Sequence, residues 1–339
     1  MVGVLRLSIS ELPFITMTVP YQTDTQAIAL TPEGPTVPAL GVGTWAWGDS
    51  FFWSYGKDYT EADLLAAFQA SVAAGVNFFD TAEVYGLGES ERLIGRFLLQ
   101  VNQPVFIATK YFPLPWRWSP QAVAETLTSS LERLQLDTVD LYQIHWPLDF
   151  LMGQKDLMNA LANEVKQGRV KAVGVSNYSA QQMQTAHGYL ADCGIPLAVN
   201  QAQYSLLHRQ IETSGVLAMA RQLKVNILAY SPLAQGLLTG KYSASDTEKP
   251  EGARKLNPRF SQSGLTKIEL VLQTLRAIAQ VHDKTPAQVA LNWLICVGGV
   301  VPIPGAKNAN QASQNAGALG WSMTAAEHEQ LARVTQAWR

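Results

Sequence analysis

The feature that most constrains the fold is a repeated alternation of short apolar runs with longer segments of helical period. Most of the runs show no polar alternation, which indicates strands that are buried on both faces. Eight runs occur, at residues 40–45, 76–80, 105–110, 139–145, 170–176, 197–201, 225–231 and 300–304. Segments of helical period lie at residues 62–73, 89–100, 119–134, 155–167, 179–191, 211–223 and 308–318.

This alternation is typical of α/β proteins with a parallel sheet. Eight units without a midpoint break in composition favour a closed (β/α)8 TIM barrel over the alternative, an open doubly wound sheet, and such a barrel can use more than 250 residues as one domain. We therefore expect a single domain over residues 25–339, preceded by a flexible leader over residues 1–24. Residues 28–36 are predicted to form an N-terminal hairpin at the bottom of the barrel, and residues 324–338 a closing helix.

Composition excludes several classes of function. The formal net charge is −2, which lacks the basic excess of a nucleic-acid-binding protein. The two cysteines, Cys193 and Cys296, share no short spacing, and the histidines have no metal-ligand spacing, so we expect no disulfide framework and no metal site. No apolar run is long enough to span a bilayer. The sequence therefore predicts a cytoplasmic protein that binds neither nucleic acid nor membrane.

Two loops are longer than a simple connection requires. Residues 48–59 carry five aromatic side chains, and residues 234–264 are rich in Gly, Ser, Pro and charge. Both follow predicted strands, so both belong to the C-terminal mouth where barrel active sites are built. They are either lids over a site or disordered insertions.

Polar residues end three successive predicted strands. Asp80, Lys110 and His145 close the second, third and fourth strands, and Tyr85 follows Asp80 by five residues. Neighbouring parallel strands lie roughly 4.8 Å apart, so these four side chains should converge. Each alone has an ordinary structural explanation, such as a helix cap for Asp80 or a core position for His145. Their joint placement favours an active site.

The four side chains have complementary chemistry. A phenol has an ordinary pKa of about 10, and a nearby lysine ammonium should lower the pKa of Tyr85. Asp80 would keep Lys110 charged and oriented, and a His145 N–H could share the oxygen of a bound carbonyl with Tyr85. This combination suits protonation of a carbonyl oxygen while hydride arrives at its carbon.

At these positions the sequence resembles the aldo-keto reductases, and its aromatic opening looks most like their plant-plastid and cyanobacterial branch. The resemblance covers nearly the whole chain from about residue 37, in the family's order. The matching segments are GVGTWAWG at 41–48, FFDTAEVYGLGESE at 78–91, ATK at 108–110, QIHWP at 143–147, GVSNYS at 174–179, VNQAQYSLLHR at 199–209, AYSPLAQGLLTGKY at 229–242 and VPIPGAKNANQASQN at 301–315.

The resemblance implies a TIM barrel that reduces carbonyls with NAD(P)H, in which Tyr85 donates the proton and Asp80, Lys110 and His145 complete the tetrad. It implies that Trp45 and Trp146 line the substrate pocket. It places the cofactor on Gly43, Thr44, Trp45, Ser176, Asn177, Gln201, Tyr230, Ser231, Leu233, Gly236, Gly305, Ala306, Lys307, Gln311 and Asn315.

Within this set Lys307 would pair with a 2′-phosphate, so we expect NADPH. Gln311 stands where many relatives have an arginine, which leaves NADH possible. We expect a monomer that acts on a small-molecule carbonyl. Two alternatives stay open at this point, namely a redox-sensing subunit that binds nicotinamide tightly with negligible turnover, and an NAD-linked alcohol or sugar dehydrogenase.

Overall fold

The structure is a computed structural model that describes residues 21–23, 27–148, 152–242 and 257–339. The predicted flexible leader over residues 1–24 lies outside the described residues except for 21–23. The middle of the predicted loop over residues 234–264 also lies outside them, since residues 243–256 are not described.

Eight strands form one parallel sheet in chain order, as the alternating pattern predicted. They are β3 (Val42–Gly43), β4 (Phe78–Asp80), β5 (Phe106–Tyr111), β6 (Val139–Ile144), β7 (Val170–Ser176), β8 (Leu197–Gln203), β9 (Asn226–Tyr230) and β10 (Val300–Pro302). The sheet is curled, so that its two outer strands approach each other. The backbone N–H of Gly41 donates to Pro302 O at 3.0 Å, and that of Gly43 donates to Pro304 O at 3.0 Å.

A short antiparallel hairpin precedes the sheet, as predicted. It consists of β1 (Ala27–Ala29) and β2 (Thr36–Pro38). Leu30 and Val37 of this hairpin are buried in the same cluster as inward-facing side chains of the sheet, such as Phe78 and Leu228. The amide of Asn226, at the start of β9, donates to the backbone oxygen of Ala29 at 3.1 Å. The hairpin therefore covers the amino ends of the strands and leaves their carboxyl ends open.

Helices cover the outside of the sheet and bury a second, larger apolar layer against it. They are α1 (Glu61–Ala73), α2 (Glu89–Leu98), α3 (Pro120–Leu134), α4 (Gln154–Lys166), α5 (Ala180–Asp192), α6 (Val216–Leu223), α7 (Gln262–His282), α8 (Pro286–Ile295), α9 (Ala309–Ala316) and α10 (Ala325–Val334). None of the helices within the described ranges is long and apolar enough to cross a membrane.

Three helices differ from the sequence prediction. The predicted helix over residues 211–223 begins only at Val216, because Gly215 takes a left-handed φ of 82° and separates α6 from a 3₁₀ turn at Gln210–Glu212. Helices α7 and α8 were not predicted. Helix α8 does carry a sequence signal, since Thr285 and Gln288 form a reciprocal capping box around a proline at the first helical position.

Candidate active site

Four polar side chains meet at the carboxyl ends of adjacent strands. Asp80 is the last residue of β4, Lys110 lies near the end of β5, and His145 directly follows β6. Tyr85 opens a 3₁₀ turn, Tyr85–Gly88, after β4. The structure thus brings together the four residues that the sequence placed at one mouth.

Lys110 is the centre of this group. Its ammonium lies 2.5 Å from Asp80 Oδ1, 2.7 Å from the backbone oxygen of Thr81 and 3.4 Å from the Tyr85 hydroxyl. Lys110 and Asp80 are buried, with side-chain exposures of 0% and 2%. Burial lowers the pKa of Lys110, but the charge of Asp80 and its hydrogen bond outweigh burial and raise it. The buried amine is therefore a cation in direct contact with the phenol.

Two glutamines complete the environment of Asp80. Gln143 and Gln201 each donate a side-chain N–H to Asp80 Oδ2, at 3.0 Å and 2.8 Å. The sequence analysis missed Gln143, although it lies on β6 two residues before His145 and so faces the same side of the strand. With Lys110 on one oxygen and two amides on the other, Asp80 is held as a fully bonded carboxylate.

Tyr85 retains its proton more strongly than the sequence predicted. Burial raises the pKa of Tyr85, whereas the nearby Lys110 charge lowers it, and the balance is a raised pKa. The expected net lowering was wrong because the cost of burying a phenolate exceeds the benefit of the one ammonium, part of whose charge is offset by Asp80. Tyr85 is therefore a protonated phenol at neutral pH and suits the role of an acid.

His145 is a neutral imidazole. Burial, with a contribution from the Lys110 charge, lowers the pKa of His145 to about 3. Its ring lies edge-on to Tyr85 at 5.7 Å and to Phe112 at 5.4 Å between centroids. Within the described part of the chain its buried Nδ1 has no hydrogen-bond partner. A neutral imidazole carries one N–H donor and one acceptor nitrogen, so His145 can donate a single ring hydrogen bond.

This lowered pKa predicts an acid-dependent loss of stability. The unfolded chain takes up a proton on His145 as the pH falls below about 6.5, whereas the folded chain does not until the pH approaches 3. The stabilising contribution is therefore complete above pH 6.5 and decreases as the pH falls toward 3. We expect the free energy of unfolding, measured with urea, to decrease less for His145→Gln than for wild type between about pH 7 and pH 4.

His187→Gln is the matched control for this measurement, because His187 lies on α5, outside the mouth. Burial also lowers the pKa of His328, to about 4. The free energy of unfolding of His145→Gln should therefore still decrease with falling pH, but less steeply than that of wild type. If the free energy of unfolding of His145→Gln depended on pH as steeply as that of wild type, the assignment of a neutral buried imidazole would be contradicted.

A polar cluster borders the tetrad on the next strands. Asn177 has a left-handed φ of 62°, and its amide donates to Ser176 Oγ at 3.0 Å. The Tyr230 hydroxyl donates to Asn177 Oδ1 at 3.0 Å. Ser176 Oγ donates to the backbone oxygen of Gln201 at 3.1 Å. These are the residues that the resemblance assigned to the nicotinamide end, and they form one hydrogen-bonded group beside Tyr85.

The segment after β9 contains an unusual run of left-handed backbone angles. Ser231, Ala234, Gln235 and Gly236 have positive φ values of 51°, 49°, 59° and 100°. Non-glycine residues rarely adopt this region, and such strain concentrates at ligand-binding loops. Within the segment, the backbone N–H groups of Ala234 and Gly236 donate to Ser231 O and Leu233 O, at 2.9 Å each. The predicted residues Ser231, Leu233 and Gly236 all lie in this segment.

The segment after β10 is shaped by its own side chains. The carboxamide of Gln311 accepts the backbone N–H of Lys307 at 2.8 Å, and the Asn315 amide donates to Gly305 O at 3.2 Å. The backbone oxygen of Ala306 accepts the Trp47 indole N–H at 2.8 Å. Gln311 therefore fixes the backbone at Lys307, which is a different role from that of a charged side chain on a phosphate.

The end of β3 and the residues after it contribute a buried polar side chain and a partly exposed aromatic one. Thr44 is fully buried, and its hydroxyl contacts Asp80 O at 3.0 Å and Ser90 Oγ at 2.8 Å, so its side chain supports β4. At Gly43 a Cβ would lie 2.8 Å from the backbone oxygen of Ile303, which requires glycine there. Trp45 and Trp146 are 40% and 43% exposed at the mouth, where a substrate could reach them.

The loop over residues 48–59 is ordered and packs against Trp45 at the mouth. Tyr55 N–H donates to Asp49 O at 3.0 Å, and Gly56 N–H donates to Tyr59 O at 2.9 Å. Phe52 stacks on Trp45 with ring centroids 5.2 Å apart. Of the two explanations that the sequence left open for this loop, the hydrogen bonds and the stacking favour a lid.

A parallel α/β sheet that presents a phenol, an ammonium and a neutral imidazole together, beside a hydrogen-bonded polar cluster, suits an oxidoreductase that acts on carbonyl and alcohol groups. The family is then settled by comparison with known proteins. Residues 39–336 match the Aldo/keto reductase family, so the chain belongs to this family.

Individual relatives agree with this assignment. The chain is 40% identical over 311 residues to the chloroplastic pyridoxal reductase of Arabidopsis thaliana, which covers 88% of this chain and 83% of that protein. The glycerol dehydrogenase structure from Gluconobacter oxydans matches with a TM-score of 0.81 and 28% identity, covering 93% and 96% of the two chains. An aldo-keto reductase from Klebsiella pneumoniae in complex with NADPH matches with a TM-score of 0.71 and 28% identity, covering 92% and 95%.

Proposed function

We propose that this protein reduces aldehydes and ketones to alcohols with NADPH and that Tyr85 donates the proton. The observation that carries the proposal is the position of the Lys110 ammonium, which lies 2.5 Å from Asp80 Oδ1 and 3.4 Å from the Tyr85 hydroxyl. This arrangement stabilises negative charge on Tyr85 only as its proton leaves, which is the requirement for a general acid. We also interpret the curled sheet as a closed (β/α)8 barrel, on the basis of the bonds from Gly41 and Gly43 to the segment of β10.

A reduced nicotinamide bound here would supply the hydride to the carbonyl carbon. Tyr85 donates its phenolic proton to the carbonyl oxygen as negative charge develops there. Lys110 stabilises the resulting phenolate, and Asp80 holds Lys110 in place through their ion pair. Neutral His145 donates a ring N–H to the same oxygen and orients the carbonyl toward Tyr85. Ser176, Asn177 and Gln201 would hold the carboxamide, and Tyr230 would stack on the ring.

The preference for NADPH rests on Lys307, whose ammonium can pair with a 2′-phosphate. The Klebsiella pneumoniae relative was solved with NADPH, and NADH stays possible because Gln311 carries no charge. We expect Lys307→Ala to raise KM for NADPH by about tenfold, since a charge-assisted bond is lost, and to leave KM for NADH within about twofold. Steady-state kinetics with both nucleotides measure this difference. Equal losses for both would contradict the 2′-phosphate contact.

The substrate that we propose to test first is pyridoxal, an aromatic aldehyde. The proposal is supported by the Arabidopsis relative's name and by the half-exposed rings of Trp45 and Trp146, which can pack on a planar substrate. Oxidation of NADPH should be followed with pyridoxal, a simple aromatic aldehyde and a sugar aldehyde. Turnover of the simple aldehyde without pyridoxal would keep the reductase and reject this substrate.

A second candidate is oxidation of polyols with NAD(P)+, which the structural similarity to a glycerol dehydrogenase favours. The reverse assay, with glycerol and NADP+ or NAD+, distinguishes the two directions. A tightly nicotinamide-binding redox sensor would bind the nucleotide in both assays without turnover. A single domain over residues 25–339, a monomeric state and a cytoplasmic location stay predictions.

A further inference from the structure

The lid loop over residues 48–59 is attached to the far end of the proposed cofactor site through one lysine. The Lys307 ammonium lies 4.3 Å from the centroid of the Tyr59 ring and 4.9 Å from that of the Trp53 ring. It also donates to the backbone oxygen of Trp53 at 3.3 Å. All three contacts come from the loop, which holds this ammonium between two aromatic faces.

The two rings are themselves held in place. Tyr59 is buried, its hydroxyl donates to the backbone oxygen of Ala46, and its ring lies edge-on to Tyr55 at 5.8 Å. Trp53 packs edge-on against Trp45 at 5.3 Å and against Phe52 at 5.5 Å. The lysine therefore rests on a surface that is already ordered.

These contacts orient the ammonium without neutralising it. Ring faces and a carbonyl oxygen attract a cation but carry no net charge, so these three contacts do not themselves offset the charge of Lys307. A lysine side chain otherwise loses considerable rotamer freedom when it binds a phosphate. Fixing the side chain beforehand reduces this entropic cost and so increases the affinity for the anion.

We propose that Trp53 and Tyr59 are positioning residues for Lys307 and determine how strongly the site prefers a 2′-phosphorylated adenosine. The inference rests on the proposed function, because it takes Lys307 as the partner of the 2′-phosphate. It assigns nucleotide preference to the lid loop after β3, although that loop follows the first strand of the sheet and Lys307 follows the last.

Binding of adenosine 2′,5′-bisphosphate and of 5′-AMP tests this directly. The two probes differ only in the 2′-phosphate and lack nicotinamide. Titration calorimetry therefore measures the affinity of the adenosine part of the site without any turnover. We expect wild type to prefer the bisphosphate and Lys307→Met to abolish the preference. Trp53→Leu and Tyr59→Leu should each reduce the affinity ratio about threefold to tenfold. Tyr59→Phe keeps the ring and should stay within about twofold of wild type.

The double variant Lys307→Met with Trp53→Leu should lose no more than Lys307→Met alone, since Trp53 acts through the lysine. Retained 5′-AMP binding shows that each variant is folded, and the pair Tyr59→Leu and Tyr59→Phe carries the test if Trp53→Leu does not fold. An unchanged ratio in both leucine variants, a raised ratio or additive losses would overturn the inference. An unchanged ratio in Lys307→Met would overturn the 2′-phosphate contact as well, whereas carbonyl reduction itself is tested separately through Tyr85.

Discussion

Tyr85→Phe is expected to lower kcat for NADPH-dependent aldehyde reduction by about 10²–10⁴, the usual contribution of a general acid. The substitution removes only the hydroxyl that lies 3.4 Å from the Lys110 ammonium. The ring and its edge-on contact with His145 are retained. Affinity for NADPH should therefore remain within about twofold of wild type. Stopped-flow hydride transfer and NADPH fluorescence titration measure the two quantities.

The matched control is Tyr189→Phe, because Tyr189 lies on α5 outside the mouth and loses the same atom. It should leave kcat and the affinity for NADPH unchanged. Full reductase activity in Tyr85→Phe would remove Tyr85 as proton donor. A large loss of NADPH affinity in that variant would instead indicate that the phenol belongs to the nucleotide site.

Lys110→Met is expected to impair both stability and catalysis. Asp80 is 2% exposed and loses the ammonium with which it pairs, so the free energy of unfolding should fall by about 3–5 kcal/mol. In the folded fraction, kcat should fall by at least about tenfold, because the phenolate of Tyr85 loses its stabilising cation. Urea unfolding at neutral pH and kinetics below the unfolding range measure the two effects.

Lys171→Met is the control for the structural part. Lys171 also pairs with an aspartate, lying 2.8 Å from Asp140, but its side chain is 57% exposed. The Asp140 carboxylate is only 8% exposed but also accepts the backbone N–H of Ile107. Solvent screens the ammonium of Lys171, so this loss should cost less than that of Lys110. If Lys110→Met were as stable as Lys171→Met, the buried pair would not be the structural centre of the mouth.

Much of the fold could be predicted because strand and helix periods are local properties of the chain. The eight strands and the hairpin were found, since apolar runs buried on both faces leave a clear signal. Helix α7 was missed because it begins directly after a stretch rich in Gly, Ser and Pro, and α6 was begun too early because Gly215 acts through its backbone angle. Neither effect is visible in hydrophobic periodicity.

The sequence predicted most of the residues that form the site but not the pKa values of their side chains. Asp80, Lys110 and His145 were found because adjacent parallel strands end at one edge. Gln143 was missed, since its role depends on which carboxylate oxygen it reaches across two strands. The pKa of Tyr85 was predicted in the wrong direction, because a list of neighbouring charges contains no measure of burial.

The sequence alone determined the order of the parallel strands and the four residues at their carboxyl ends, because strands that follow each other in the chain are neighbours in the sheet. Only the tertiary structure decided that Tyr85 keeps its proton, that His145 is neutral, and that Lys307 rests on Trp53 and Tyr59. These outcomes depend on desolvation and on contacts between residues up to 254 positions apart. Such contacts exist only once the first and last strands of the sheet have been brought together.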